Sequence, residues 1–137
     1  MSPAPLIRVD PTLPTPIWSQ IEEGVRYLVA SGALRPGDAL PSVRDLARDQ
    51  RVNPNTVAKA YQRLAEAGIV ETRRGEGTFV AERPPSMPPA EKARILREGA
   101  TRFSTLAVNL GATPAEATSA VQAAWPQGDL SAKGGRR

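Results

Sequence analysis

Two helix starts stand eleven residues apart in "LPSVRDLARDQRVNPNTVAKAYQRL", and they restrict the fold more than any other feature of the chain. Ser42 can cap a helix beginning at Val43, with Asp45 three residues on as a capping-box variant, Asp replacing Glu or Gln. Asn53 is the natural N-cap of the next helix. Pro54 takes its first position, where a missing N–H costs nothing. The first helix has room for about two turns before Gln50-Arg51 and turns Val43, Leu46 and Ala47 inward. In the second, Val57, Ala60, Tyr61 and Leu64 recur at i, i+3, i+4 and i+7, a single apolar face. Two short amphipathic helices separated by a few residues around Val52 have to bury those faces together, which predicts a helix-turn-helix.

The flanks extend this into a small domain. Upstream, "TPIWSQIEEGVRYLVASGAL" offers Thr15 as N-cap, Pro16 at the first helical position and a stripe of Ile17, Ile21, Val25, Leu28 and Val29, with Gly32 as the stop. "LRPGDALP" reads as a turn around Pro36-Gly37. Downstream, Gly68 ends the third helix. "IVETRRGEGTFVA" then holds two β-prone runs, Ile69–Thr72 and Thr78–Ala81, around the loop "RRGEG". Residues 15–83 therefore predict a winged helix-turn-helix. Residues 1–14, punctuated by Pro3, Pro5, Pro11 and Pro14, predict an irregular N-terminal segment.

"RPPSMPPA" marks a boundary near residue 84. Beyond it, residues 84–126 predict a two-helix arm. Its first helix, roughly 89–110, carries Leu96, Ala100, Phe103, Leu106, Ala107 and Leu110. The second is capped by Thr113-Pro114-Glu116 and has a thin apolar face of Val121, Ala124 and Trp125. Residues 127–137, rich in Gly and charge, predict a disordered tail. The fold class is mainly α with a small β-wing: a winged helix-turn-helix followed by a two-helix C-terminal arm.

Composition narrows the function classes. The 137 residues suffice for one ordinary domain or a small domain with an appendage. Cys and His are both absent, which removes thiolate chemistry, the commonest metal ligand and the commonest general base. No catalytic residue, metal site or cofactor is expected. No run of about 18 apolar residues occurs, so no membrane span is expected. No secretory signal is visible either, so the expected compartment is the cytoplasm. The net charge of +4 divides as −1 over residues 1–34, +2 over 35–83 and +3 over 84–137. The middle is only weakly basic, so a nucleic-acid argument has to rest on where its charges sit.

They sit suggestively. With the apolar face of the third helix turned inward, Asn55, Lys59, Gln62 and Arg63 lie opposite and Thr56 lies at the margin. A recognition helix reads base edges from its N-terminal turns. Asn can bond adenine bidentately, Lys can reach guanine, and Thr can meet a phosphate or a thymine methyl. Free N–H groups at the helix start would suit phosphate. No acidic residue falls between 50 and 65. Arg44, in the first turn of the preceding helix, faces the same groove unless Asp45 or Asp49 pairs with it. The wing tip, Arg73-Arg74-Gly75-Glu76-Gly77, has the shape and charge to touch the DNA backbone or enter a minor groove. The DNA-facing set expected from turn, helix and wing is Ser42, Arg44, Asn53, Pro54, Asn55, Thr56, Lys59, Arg73, Arg74, Gly75, Gly77 and Thr78.

"LPSVRDLA", "VNPNTVAKAY" and "GEGTFV", in this order within residues 15–81, closely resemble the DNA-binding domain of the GntR family of bacterial transcription regulators. The resemblance implies a winged helix-turn-helix binding a palindromic operator as a homodimer. By the same resemblance, groove contacts fall at Arg44, at Asn53 to Thr56 and at Arg74-Gly75. Many members carry Arg two residues after the Thr that matches Thr56; Ala58 stands there in this chain, and Lys59 is the candidate to do part of its work. The short arm resembles the YtrA-type subfamily, which implies dimerisation through Leu96, Phe103, Leu106, Leu110, Val121 and Trp125. Two helices can hardly enclose a ligand pocket, and a twofold partner would bury their stripes. The function expected is therefore a cytoplasmic, sequence-specific repressor acting on double-stranded DNA. The alternative is a winged-helix protein-interaction module without specific DNA binding. The residues single out no small-molecule effector.

Overall fold

The stripe of Ile17, Ile21, Val25, Leu28 and Val29 builds α1, Ile17–Ser31, in a computed structural model that describes residues 7–125. Ile21 and Val25 are fully buried, and the other three pack partly buried around them. The helix starts one residue later than expected. Pro16 is the cap, and its carbonyl accepts the Ser19 and Gln20 N–H groups at 3.0 Å each. Thr15 makes no capping bond; the Gln20 Nε2 donates to its carbonyl at 2.9 Å instead. Gly32 ends the helix with φ of 83°, the left-handed conformation that an L side chain disfavours.

Ser42 starts α2, Val43–Gln50, its hydroxyl accepting the Asp45 N–H at 3.0 Å. Only half of the expected capping box forms, because the Asp45 carboxylate turns to Arg48 at 2.7 Å. A short turn leads to α3, Pro54–Glu66, capped by Asn53, with Val57, Ala60, Tyr61 and Leu64 all buried. Within that turn Arg51 has φ of 57°, a conformation that costs a non-Gly residue about 1–2 kcal/mol. The Tyr61 hydroxyl donates to the Pro41 carbonyl at 2.8 Å, tying α3 to the residue just before the α2 cap. Burial pushes the Tyr61 pKa up. The folded state therefore holds this proton longer than the unfolded chain, and stability falls as pH rises above about 10, where a free phenol ionises. Tyr61→Phe should cost about 0.5–1.5 kcal/mol at neutral pH and flatten that alkaline decline. Urea melts at pH 7 and above pH 10 measure both.

The wing pairs β1, Val70–Arg73, with β2, Gly77–Val80, antiparallel in the register Val70↔Val80, Thr72↔Thr78 and Arg73↔Gly77. Each strand lies one residue from its expected place, so Arg73 and Gly77 belong to the ladder and the loop shrinks to 74–76. The Glu76 N–H closes it onto the Arg73 carbonyl at 2.9 Å. Gly75 has φ of 77°, and Arg74 stays out of the positive-φ region, as a type II turn requires. The turn before α2 contributes to the same sheet. Leu40 N–H donates to Thr78 O and Val80 N–H to Asp38 O, both at 2.8 Å. This fixes the wing to the α1–α2 connection.

Residues 7–14 form no helix or strand, yet they contribute to the core. Ile7 is 3 % exposed and joins the cluster of α1, α2 and α3 side chains. Val9 N–H donates to Gln50 Oε1 at 3.1 Å, and Asp10 N–H donates to Gln20 Oε1 at 2.7 Å.

The chain divides at Met87-Pro88 into two compact units. The second holds α4, Pro89–Asn109, and α5, Pro114–Ala124. The Thr113–Glu116 capping box forms in full. Trp125 lies just past α5 as its C-cap rather than within it. Ala107 is the one buried side chain of α4, and α5 has none. The expected disordered tail lies outside the described residues. No helix among the described residues is long and apolar enough to cross a membrane.

Candidate nucleic-acid interface

Each element of the helix-turn-helix and wing holds one cation tied to a carboxylate and one left open. On α2, Arg48 pairs with Asp45, while Arg44 is exposed and has no hydrogen-bond or ion-pair partner among the described residues. The two pairings weighed for Arg44, with Asp45 or Asp49, do not form. In the wing, Arg73 reaches Glu71 at 2.9 Å and its guanidinium lies 4.1 Å from the centre of the Phe79 ring. Arg74, at the tip, is exposed and unpaired among the described residues. Arg73 and Arg74 are thus separated: one braces the wing, the other is open to a ligand. Gly75 and Gly77 are exposed, and Thr78 is half-buried within the ladder opposite Thr72.

The start of α3 resolves the two asparagines. Asn53 Oδ1 accepts the Asn55 N–H at 2.8 Å, and the Asn53 carbonyl accepts the Thr56 N–H at 2.9 Å. Pro54 has no N–H. The first three positions of α3 therefore keep no free N–H for a phosphate, contrary to expectation; only the partial positive charge of the helix end remains. The Asn55 amide is exposed and makes no side-chain hydrogen bond among the described residues. Pro54 is exposed and Thr56 half-buried. Ser42 is exposed, with its hydroxyl already used as the α2 cap.

Lys59 and Arg63, which their spacing places opposite the apolar face of α3, do not simply project away from the domain. Both reach α1. The Lys59 Nζ lies 4.5 Å from the centre of the Trp18 ring and the Arg63 Cζ 4.7 Å from it. Arg63 also holds Glu22 at 2.7 Å, and Glu22 shares its other oxygen with Arg26 at 3.6 Å. Trp18 carries no polar signal in the sequence beyond its indole. Its place one position inside the α1 start, a turn before Glu22, does not set it apart from a core side chain. Among the described residues no group of three His, Cys, Asp or Glu side chains is placed to hold a metal.

A helix-turn-helix with a two-stranded wing, its cations and amides ranged along α2, the α3 start and the wing tip, defines the winged-helix class. The chain belongs to the GntR family: residues 18–80 match the model of "Bacterial regulatory proteins, gntR family". It is 49 % identical over 77 residues to the HTH-type transcriptional repressor YtrA of Bacillus subtilis, a match covering 56 % of this chain and 59 % of that protein. It is 50 % identical over 68 residues to the HTH-type transcriptional regulator YhcF of the same organism, covering 50 % of this chain and 56 % of that one. The chain thus spans less than two thirds of the length of these curated relatives. The solved structure of YtrA from Sulfolobus acidocaldarius, a GntR-family transcription factor, superposes with a TM-score of 0.52 at 34 % identity, covering 70 % of this chain and 97 % of that one. The resemblance to the GntR family drawn from the motifs, and to its YtrA type drawn from the short arm, is met.

Proposed function

We propose that the protein is a sequence-specific DNA-binding transcriptional repressor that binds a palindromic operator as a homodimer. Residues 15–83 form its DNA-binding domain and residues 84–126 its dimerisation arm. The observation that carries the reading is the set of exposed, unpaired groups at Arg44, Asn55 and Arg74, where Arg44 and Arg74 each share an element with an arginine already held by a carboxylate. Desolvating an open guanidinium or amide against a base or phosphate breaks no internal bond, so these are the groups free to make contacts. Asn55 suits adenine in the major groove, Arg44 a guanine or a phosphate, and Arg74 a minor groove flanking it. Membership in a family of bacterial regulatory proteins and the repressor name of the B. subtilis relative support the regulatory role.

Selection from a random duplex library with the purified protein tests this directly. A recovered inverted repeat supports the reading, and failure to enrich any sequence overturns it. On the recovered duplex, Asn55→Ala is expected to lose about 1–3 kcal/mol of affinity and to leave random duplex nearly unaffected. Asn53→Ala is the control. It removes a cap and lowers fold stability by about 1 kcal/mol, which a thermal melt separates from lost base reading.

A further inference from the structure

Among the described residues, Trp18 is the one aromatic side chain that two cations of the recognition helix approach together. We infer that Trp18 is a positioning residue for DNA binding: it holds the Lys59 ammonium on the α1 side of α3 as a contact for the DNA backbone, and leaves base reading to the first turn. This inference rests on the DNA-binding reading above.

The two cations on the ring differ in what else they touch. Arg63 is neutralised by Glu22 at 2.7 Å. Lys59 has no carboxylate partner among the described residues, and an aromatic face attracts an ammonium without cancelling its charge. The full charge of Lys59 thus stays available to a phosphate. Its four-carbon stem would otherwise sample many rotamers, and fixing it on binding carries an entropic cost. Trp18 fixes it beforehand.

Direction decides between a base and a phosphate. Asn55 stands one turn before Lys59 on the exposed face of α3. Lys59 leans from that face toward α1, to which Arg63 also turns. Ala58 precedes it by one residue, about 100° round the helix, on the side where Tyr61 reaches back to Pro41. Lys59 therefore does not stand in for a long side chain at Ala58; it lies about 100° away, on the α1 side of the helix, the edge we assign to the DNA backbone.

The test measures affinity against salt concentration for the wild type, Lys59→Ala, Trp18→Phe, Trp18→Leu and Lys59→Ala/Trp18→Leu, on the selected duplex and on a random duplex. Lys59→Ala is expected to weaken both DNAs by the same factor and to lower the log–log salt slope by about 0.9, so that its deficit shrinks about threefold to fourfold between about 50 and 200 mM salt. Trp18→Leu should reduce affinity in the same way and add nothing once Lys59 is gone, while Trp18→Phe keeps most of the effect. In the free protein, the Lys59 ε-methylene protons should be shifted upfield by the indole ring in NMR spectra and return to ordinary values in Trp18→Leu. A loss confined to the selected duplex with an unchanged slope would make Lys59 a base reader and overturn the inference. So would additive losses in the double variant, or an unshifted Lys59 resonance in the wild type. A wild-type chain that binds neither duplex fails the DNA-binding reading itself, before any variant is compared.

Discussion

A chain carrying Leu106→Asp and Leu110→Asp is expected to lose operator affinity by about 10²–10⁴-fold while its winged helix stays folded. The reason lies in how the second unit exposes apolar surface. Leu96 is 75 % exposed, Leu106 53 %, Leu110 74 % and Trp125 51 %, whereas the described large aliphatic side chains of the first unit, Leu13 apart, lie in one buried cluster or pack against it. Each such side chain gains about 1.5–3 kcal/mol when fully buried. α5 supplies no buried residue of its own, so the chain alone leaves most of this gain unused. A second copy sharing a twofold axis would bury the same residues from both sides at once. Dimerisation then converts the second half-site contact into an intramolecular event, which is the origin of the large factor. Two carboxylates placed in that surface oppose its burial. Light scattering should return a dimer for the wild type and a monomer for the variant. Circular dichroism should be nearly unchanged, and affinity for an isolated half-site should be equal in the two. A monomeric wild type, or a variant that keeps full operator affinity, would rule out the arm as the dimer contact.

The helix-turn-helix was legible because its signals are local and agree with one another. Ser42, Asn53 and Thr113 are caps that act within three residues, and all three make their bonds. The buried face of α3 follows from period alone. What escaped the sequence depends on contacts between distant segments. Nothing local marks Trp18 as the seat of Lys59 and Arg63, since an aromatic residue at the start of an amphipathic helix looks like any other core side chain. The division of labour between Arg73 and Arg74 is equally hidden. It depends on Phe79 lying across the ladder from Glu71, and on the one-residue shift that draws Arg73 into the strand. The start of α3 lacks the expected free N–H groups because Asn53 engages two of them, through its side chain and its carbonyl, and Pro54 removes a third.

Ile7 is the residue whose weight the sequence least discloses, and Ile7→Ala is expected to destabilise the fold by about 2–4 kcal/mol. A segment with four prolines in its first fourteen residues has no periodicity, and nothing in it announces a core side chain. Ile7 is nevertheless 3 % exposed within the cluster that includes Leu46, Val57 and Leu64. Two hydrogen bonds hold the strap behind it, from Val9 N–H to Gln50 and from Asp10 N–H to Gln20. Gln50 is the last residue of α2 and directly precedes the strained Arg51, so the strap also braces the turn that aims α3. Truncating Ile7 leaves a cavity that an extended strap, pinned at Val9 and Asp10, collapses into only partly. Arg8, exposed between Ile7 and Val9, is the control, and Arg8→Ala should stay within about 0.5 kcal/mol of the wild type. Urea denaturation followed by far-ultraviolet circular dichroism measures both. An Ile7→Ala midpoint equal to that of Arg8→Ala would mean that the strap is not docked in solution. The expected loss, at about tenfold in the folding equilibrium per 1.4 kcal/mol, is large for so small a domain. DNA binding should accordingly fail through the folded fraction and recover at lower temperature, whereas the loss from Asn55→Ala should persist at every temperature at which the domain is folded.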